Sequence, residues 1–202
     1  MALISQIKGT NNISYNLRDD VHTWGGRNLV WNSNFIQGST VKWNNWGSPP
    51  TRAIVSVNGK YWMHVISNTT AYQGYSQNSP TRAGYGDVQP GDQVMVSYTA
   101  YGKNGNETVT VGIHWNKSDG TIISQPWSPH VVTTTAKRYT FGPYTVPANA
   151  VGFNVMVGDS TTTAQEFWMT DIKIEKGNKA TDWSPAPEDI AHINGTELIL
   201  LG

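Results

Sequence analysis

The chain contains no cysteine among its 202 residues. Disulfide bonds, thiolate nucleophiles and thiolate metal sites are therefore excluded, and the chain can fold in oxidising or reducing surroundings. Charge is scarce as well, because 14 basic and 14 acidic residues cancel and charged residues make up only 14% of the chain. An average domain has roughly 25%. A chain without net charge has no long-range attraction for nucleic acid or for an anionic membrane.

Long apolar runs are missing too. No run approaches the roughly 18 apolar residues that indicate a transmembrane helix. The first residues, MALISQIKG, lack the basic region and the long apolar core of a secretory signal. We therefore expect no membrane contact, and an extracellular role would need another export route, or a larger parent protein or particle.

The motifs of catalysis are equally sparse. The sequence has no G-x-S-x-G elbow, no H-E-x-x-H and no EF-hand loop. Glu166 and Asp171 share a predicted strand, but by parity they point to opposite faces, which argues against the carboxylate pair of a glycosidase. We predict that the protein is not an enzyme.

What the sequence does contain is a series of about ten short runs with β alternation, separated by turn signals, and no convincing long helix. This pattern predicts an all-β fold, a two-sheet antiparallel β-sandwich or jelly roll with short N- and C-terminal arms. The predicted division is an N-terminal arm over residues 1–27, the sandwich over 28–177 and a C-terminal tail over 178–202. A short helix beginning near Asn16 and an apolar ELILL segment in the tail are further expectations.

Residues 94–116 hold the strongest hairpin signal. Two alternating runs flank Asn104-Gly105, a dipeptide typical of two-residue hairpin turns. This turn predicts a register in which Tyr98 faces Val111. The apolar side of both strands would then line the core, and the other side would be polar. Asn58-Gly59 and Asp119-Gly120 indicate two further hairpins.

Aromatic and neutral polar residues are abundant, with nine Trp and nine Tyr in the chain. An aromatic ring can stack on the apolar face of a sugar while amides and hydroxyls bind its hydroxyl groups. The alternative is an ordinary β protein, because Trp, Tyr and Thr all favour strands. Strand parity assigns one aromatic set to the core: Trp31, Tyr98, Trp115, Phe153 and Trp168.

The opposite parity yields the candidate binding residues. If their strands join one sheet, a single polar-aromatic face would collect six ligand-binding residues: Trp62, His64, Tyr101, His114 and Asn154, with Trp127 overhanging from a loop. The alternative for Trp62 and His64 is a place in the core or in an oligomer contact.

Five stretches resemble jelly-roll carbohydrate-binding modules. Residues 28–35, NLVWNSNF, resemble the opening of such modules, with Trp43 or Trp46 downstream, and QPGD at 89–92 resembles their turn before a central strand. The segments YNLRDDV at 15–21, FWMTDIKIEKG at 167–177 and ATDWSPAPED at 180–189 resemble those modules in bacteriophage tail and baseplate proteins. The resemblance covers about residues 15–190.

This resemblance implies a non-catalytic carbohydrate-binding module of a phage tail protein. It would bind host cell-wall polysaccharide for adhesion, reside in the virion with other tail proteins, and act at the host surface. The alternative is a structural module of the tail tip that forms a homo-oligomer and binds no sugar. In related modules a Glu after the opening Phe helps hold a structural calcium ion. Ile36 takes that place here, so we expect no cofactor, and Asp171 is the remaining ligand if calcium binds.

Overall fold

The strands of the protein are short and all pair antiparallel. The computed structural model describes residues 6–8, 14–16, 26–77 and 88–190. These residues also form a 3₁₀ turn, Ile36–Gly38, and a short helix, Pro187–Ile190. The strands are β1 (Gln6–Lys8), β2 (Ser14–Asn16), β3 (Asn44–Trp46), β4 (Thr51–Val57), β5 (Lys60–Ile66), β6 (Gln73–Gln77), β7 (Gln93–Gly102), β8 (Thr108–Asn116), β9 (Ile122–Ser124), β10 (Trp127–Val131), β11 (Lys137–Thr145), β12 (Gly152–Asp159) and β13 (Glu166–Lys176).

Two sheets face each other. The six-stranded sheet has the order β10-β8-β12-β6-β3, with β9 also paired to β8, and the five-stranded sheet has the order β11-β7-β13-β5-β4. Strands β1 and β2 pair only with each other among the described residues. The sequence prediction of an all-β, two-sheet antiparallel sandwich is confirmed. Within the described residues, no helix is long and apolar enough to cross a membrane.

The core lies between the sheets and follows strand alternation. Val96, Tyr98 and Ala100 of β7 are fully buried, as are Val109 and Val111 of β8. Full burial of a large apolar side chain stabilises a fold by about 1.5–3 kcal/mol. The inward faces of β12 and β13 complete this core with Phe153, Val155, Val157, Phe167 and Met169.

The predicted hairpin between β7 and β8 is wrong, because the two strands belong to different sheets. Strand β7 pairs with β11 and β13, and β8 pairs with β9, β10 and β12. The reason is Glu107, which is buried and accepts hydrogen bonds from the backbone N–H groups of Asn104 (2.8 Å), Gly105 (2.9 Å) and Asn106 (3.1 Å). The loop therefore wraps around a carboxylate and carries the chain from one sheet to the other. The predicted parity of both strands is right, but their pairing and register are not.

The other two turn signals are confirmed. Asn58 and Gly59 have φ angles of 53° and 77° and join β4 to β5, with Val57 opposite Lys60. Asp119-Gly120 lies in the turn between β8 and β9. Both turns need left-handed backbone, which Gly and Asn adopt at low cost.

Residues 28–35, where strand parity placed Trp31 in the core, form turns rather than a strand, with left-handed φ angles at Asn32 (46°) and Phe35 (55°). The indole of Trp31 is consequently only half-buried, with the Lys42 ammonium 4.9 Å from its ring centre, so its assignment to the core is wrong. The buried Asn28 side chain donates to the carbonyl oxygens of Ile172 (3.1 Å) and Ser184 (3.0 Å). This side chain ties the start of the sandwich to the segment that follows β13.

Some expectations fall on residues outside the described ranges. The helix expected near Asn16 is one, since only Asn16 itself is described, as the last residue of β2. The ELILL segment is another. The divisions at residues 27 and 177 stay predictions.

We predict that Glu107→Ala destabilises the protein by about 2–3 kcal/mol, because three backbone N–H groups lose a charged acceptor. Urea unfolding measures this change. Asn106→Ala is the matched control in the same loop, since its exposed side chain makes no hydrogen bond within the described residues. Equal stability of the two variants would show that the carboxylate does not hold the crossing between the sheets.

Candidate functional site

The six candidate binding residues lie on two opposite outer faces. Trp62, His64 and Tyr101 are on the five-stranded sheet, while His114, Trp127 and Asn154 are on the six-stranded sheet. The expectation of one shared face is therefore wrong. It depended on the predicted pairing of β7 with β8, and these strands lie in different sheets. Trp127 is the first residue of β10 rather than part of a loop. The binding role of each residue stays a prediction.

On the five-stranded sheet, four rings form a contiguous group that we call the aromatic ladder: Trp62, His64, Tyr101 and Trp168. The Trp168 ring lies between His64, at 4.5 Å and 2° between planes, and Tyr101, at 4.8 Å and 4°. Trp62 meets Tyr101 edge-on at 5.0 Å. Both faces of the Trp168 ring are thus used by its neighbours. Such cross-strand pairs stabilise a sheet by about 0.5–1.5 kcal/mol beyond their burial.

Trp168 itself was assigned to the core by parity, and this assignment is wrong. Phe167 and Met169 on either side of it are fully buried and fill the core instead. Trp168 therefore points outward and is half-buried. Parity read from a run such as EFWMTDI is ambiguous, because apolar residues occupy both faces of the strand.

Charged pairs border the aromatic ladder. Glu166 lies 3.2 Å from His64 Nε2 and 2.5 Å from Lys103 Nζ. The hydrogen bond from Lys103 is the main cause that lowers the pKa of Glu166. The Lys60 ammonium contacts the Asp171 carboxylate. A ligand on this face would therefore meet charges that already have partners.

On the six-stranded sheet, three rings form what we call the indole platform: Trp46, Tyr72 and Trp127. The two indoles are nearly parallel, with centroids 5.8 Å apart and 13° between planes. Tyr72 lies 5.7 Å from Trp46 and 6.0 Å from Trp127, and it is 53% exposed. Trp46 and Trp127 come from β3 and β10, the two outermost strands of the sheet order. They meet because both side chains extend over the outer face, from the two edges toward the middle of the sheet.

Glycines make room for this platform. Gly112 faces Trp127 across the strands, and a Cβ there would lie 2.3 Å from the Trp127 ring. Gly74 lies opposite Trp46 and is itself opposite Gly158. A Cβ at either of these two glycines would come within 2.1 Å of a backbone oxygen of the opposing strand. Of these three glycines, only Gly112 would bring a Cβ against an indole, so the Trp127 ring lies directly over the backbone there. The buried Met156 lies opposite Gly112 on the same face.

The outward strand positions around the indole platform carry no charged side chain. Alternation from the paired core residues assigns these positions on five strands, and none is Asp, Glu, Lys or Arg. They are Asn44, Trp46, Gly74, Ser76, Thr108, Thr110, Gly112, His114, Asn116, Trp127, Pro129, Val131, Gly152, Asn154, Met156 and Gly158. Ser76, Thr110 and Asn116 among them are buried, so the accessible part of this face consists mainly of rings and of the amides of Asn44 and Asn154. Arg52 lies nearby and donates to the carbonyl oxygens of Gly47 (2.9 Å) and Gly74 (3.4 Å).

His114 adjoins the indole platform. Its ring stands at 85° to that of Trp127, with centroids 5.3 Å apart, and Asn154 lies opposite it on β12. Burial lowers the pKa of His114. The imidazole is therefore neutral at neutral pH, like the rest of this face.

Sequence reasoning missed Trp46 and Tyr72 as partners of Trp127. Their positions lie far apart in the chain, and Trp46 sits in a strand of only three residues. A signal was present, however, in the glycines at outward positions of otherwise regular strands. A glycine inside a strand often marks a site where another group approaches closely.

The surroundings of Asp171 do not fit a calcium ion. Its carboxylate contacts Lys60 and lies 3.4 Å from Thr99 Oγ1. Within the described ranges, no group of three His, Cys, Asp or Glu side chains could hold a metal. We therefore assign no metal role to Asp171.

No protein-family model matches the chain, and no curated protein matches it in sequence. Solved structures do match its fold. The xylan-binding CBM22-1 domain of Paenibacillus barcinonensis Xyn10C is 14% identical with a TM-score of 0.54, over 77% of this chain and 98% of that one. The CBM22-1–GH10 modules of Clostridium thermocellum Xyn10B, solved with xylohexaose, are 17% identical with a TM-score of 0.53, over 79% and 30%.

The enzymatically active domain of tailspike protein 4 from bacteriophage CBA120 also matches, at 11% identity and a TM-score of 0.56. The match covers 74% of this chain but only 21% of the tailspike domain. At such identities the likeness concerns the fold. It confirms the predicted jelly-roll type of sandwich.

We predict that acidification destabilises the protein through His114. Because burial lowers its pKa, the unfolded chain takes up this proton first as the pH falls through the ordinary value of 6.5. Stability is therefore lost progressively below that pH, and His114→Gln should reduce the loss. Urea unfolding at a series of pH values measures how the free energy of unfolding changes with pH. Parallel pH profiles for the two proteins would contradict this account.

Proposed function

We propose that the protein is a non-catalytic carbohydrate-binding module whose indole platform binds a neutral polysaccharide. The observation that carries the proposal is the meeting of Trp46 and Trp127, from opposite edges of the sheet, on an outer face whose strand positions carry no charged side chain. An exposed aromatic surface of this kind can stack on the apolar face of a sugar ring. Each stacked ring is worth about 1–3 kcal/mol by analogy with nucleic-acid bases.

The indole platform suits this role better than the aromatic ladder. In the ladder, both faces of the Trp168 ring are taken by His64 and Tyr101. In the indole platform, each indole has one stacked neighbour, and Tyr72 is 53% exposed. The ladder also has charged neighbours, and a neutral sugar gains little from displacing paired charges. Trp62, His64 and Tyr101 are therefore better explained as stabilising the five-stranded sheet.

We further propose that this binding serves adhesion of a bacteriophage tail or baseplate to host cell-wall polysaccharide. The support is the resemblance of residues 15–21 and 167–189 to tail-protein modules, together with the jelly-roll fold. The protein would then be part of the virion, attached to other tail proteins and acting at the host surface. Single sites of this kind bind weakly, so adhesion would depend on many copies acting together.

We predict that Trp46→Ala and Trp127→Ala each weaken binding to purified host cell walls about 5- to 100-fold, the loss expected from one stacked ring. A fluorescent fusion in a pull-down assay with insoluble cell walls measures this change. His64→Ala on the opposite face is the matched control and should bind as the unchanged protein does. Circular dichroism verifies that each variant is folded.

Two results would contradict the proposal in different ways. Loss of binding in the His64 variant, with binding intact in both Trp variants, would place the site on the aromatic ladder. Absence of binding to any cell wall, together with a stable oligomer in solution, would favour the structural module of the tail tip.

A further inference from the structure

The edge of the six-stranded sheet is interrupted beside the indole platform. Strand β8 pairs with β10 up to Gly112 and with β9 from Trp115 onward. Between these points the Ile113 N–H donates to the carbonyl oxygen of Pro126, at 3.0 Å, rather than to a strand. His114 lies at this interruption, with its ring against Trp127. The edge of the sheet is thus irregular next to the platform.

Two buried polar atoms at this irregular part of β8 have no hydrogen-bond partner among the described residues. They are Nε2 of His114 and the carboxamide oxygen of Asn116. Asn116 is only 5% exposed. The two residues share the outer face of β8 and lie about 7 Å apart along the strand. A buried polar group without a partner costs about 1–3 kcal/mol, so such groups call for a partner from outside the chain.

No charged side chain faces these atoms from the strands paired with β8. Gly152 lies opposite Asn116 and has no side chain, and Asn154 lies opposite His114. The outward positions of the surrounding strands hold no Lys or Arg. An anionic group brought here would lose its hydration without gaining a cation.

We infer that His114 and Asn116 bind hydroxyl groups of the sugar that stacks on Trp127, so that the site takes neutral sugars and rejects uronates and phosphodiesters. This inference rests on the proposed function and adds two contact residues and the rejection of anionic sugars. The carboxamide oxygen of Asn116 accepts a hydrogen bond from a sugar hydroxyl. The neutral imidazole of His114 either accepts or donates one. Trp127 supplies contact area, and these two residues supply selectivity.

Asn116→Leu separates a ligand-binding role from a structural one, because the two roles predict opposite changes in stability. If Asn116 has no internal partner, its replacement by leucine keeps or raises the stability of the folded protein, because it removes an unsatisfied polar group from the interior. We expect an unfolding temperature unchanged or a few degrees higher. We also expect binding about tenfold weaker, the value of one lost hydrogen bond.

The probe is a glycan array carrying neutral hexose, N-acetylhexosamine, uronate and glycerol-phosphate oligosaccharides. The unchanged protein should bind neutral members only. Asn116→Leu and His114→Leu should each weaken binding to the best neutral member, and Asn45→Leu, an exposed position on β3, serves as the control. Trp46→Ala should weaken binding to every neutral member about 5- to 100-fold and so reports on the platform separately.

Three outcomes would overturn the inference. Preferred binding to uronate or glycerol-phosphate members would refute the neutral class while leaving the platform in place. Unchanged binding in both Leu variants, with loss in Trp46→Ala, would refute the roles of His114 and Asn116 alone. Absence of binding to any member of the array or to host cell walls would refute the proposed function as well.

Discussion

The apolar core between the two sheets determines which side of every strand is left for a ligand. Each strand buries one face against the opposite sheet, and Tyr98 joins the two sheets directly. Its buried hydroxyl donates to the carbonyl oxygens of Val109 (3.1 Å) and Ser128 (3.2 Å) in the six-stranded sheet. Because the inner faces are committed to this packing, a polysaccharide can only lie on an outer face. The location of function then becomes a question of how the two outer faces differ.

Both outer faces carry several aromatic rings, but the rings are used differently. In the aromatic ladder they stack on one another across adjacent strands, and salt bridges such as Lys103–Glu166 surround them. In the indole platform Trp46 and Trp127 come from opposite sheet edges, and Trp127 lies over the Gly112 backbone. Both faces of Trp168 are taken within the ladder, although Trp62 Nε1 there lacks a partner among the described residues, whereas Tyr72 of the platform is 53% exposed. This contrast is the physical basis for choosing the platform as the binding site.

Much of the fold follows from local patterns in the sequence. Alternation correctly placed Tyr98, Trp115 and Phe153 in the core, and Asn58-Gly59 correctly marked a hairpin. The separation of β7 and β8 into different sheets could not be predicted, because the Glu107 carboxylate overrides the Asn104-Gly105 turn signal through contacts that no dipeptide pattern contains. The same separation divides the candidate binding residues between two faces. Correct parity identified outward residues, but the partition into two sheets decided which of them could act together.

The central claim is that a polysaccharide contacts the indole platform and not the aromatic ladder. Nuclear magnetic resonance tests it most directly, because each of the nine tryptophans has one indole N–H signal, assignable by single substitutions. During titration with a soluble fragment of host cell-wall polysaccharide, the signals of Trp46 and Trp127 should shift while those of Trp62 and Trp168 stay in place. Shifts at Trp62 and Trp168, with Trp46 and Trp127 unchanged, would contradict the account.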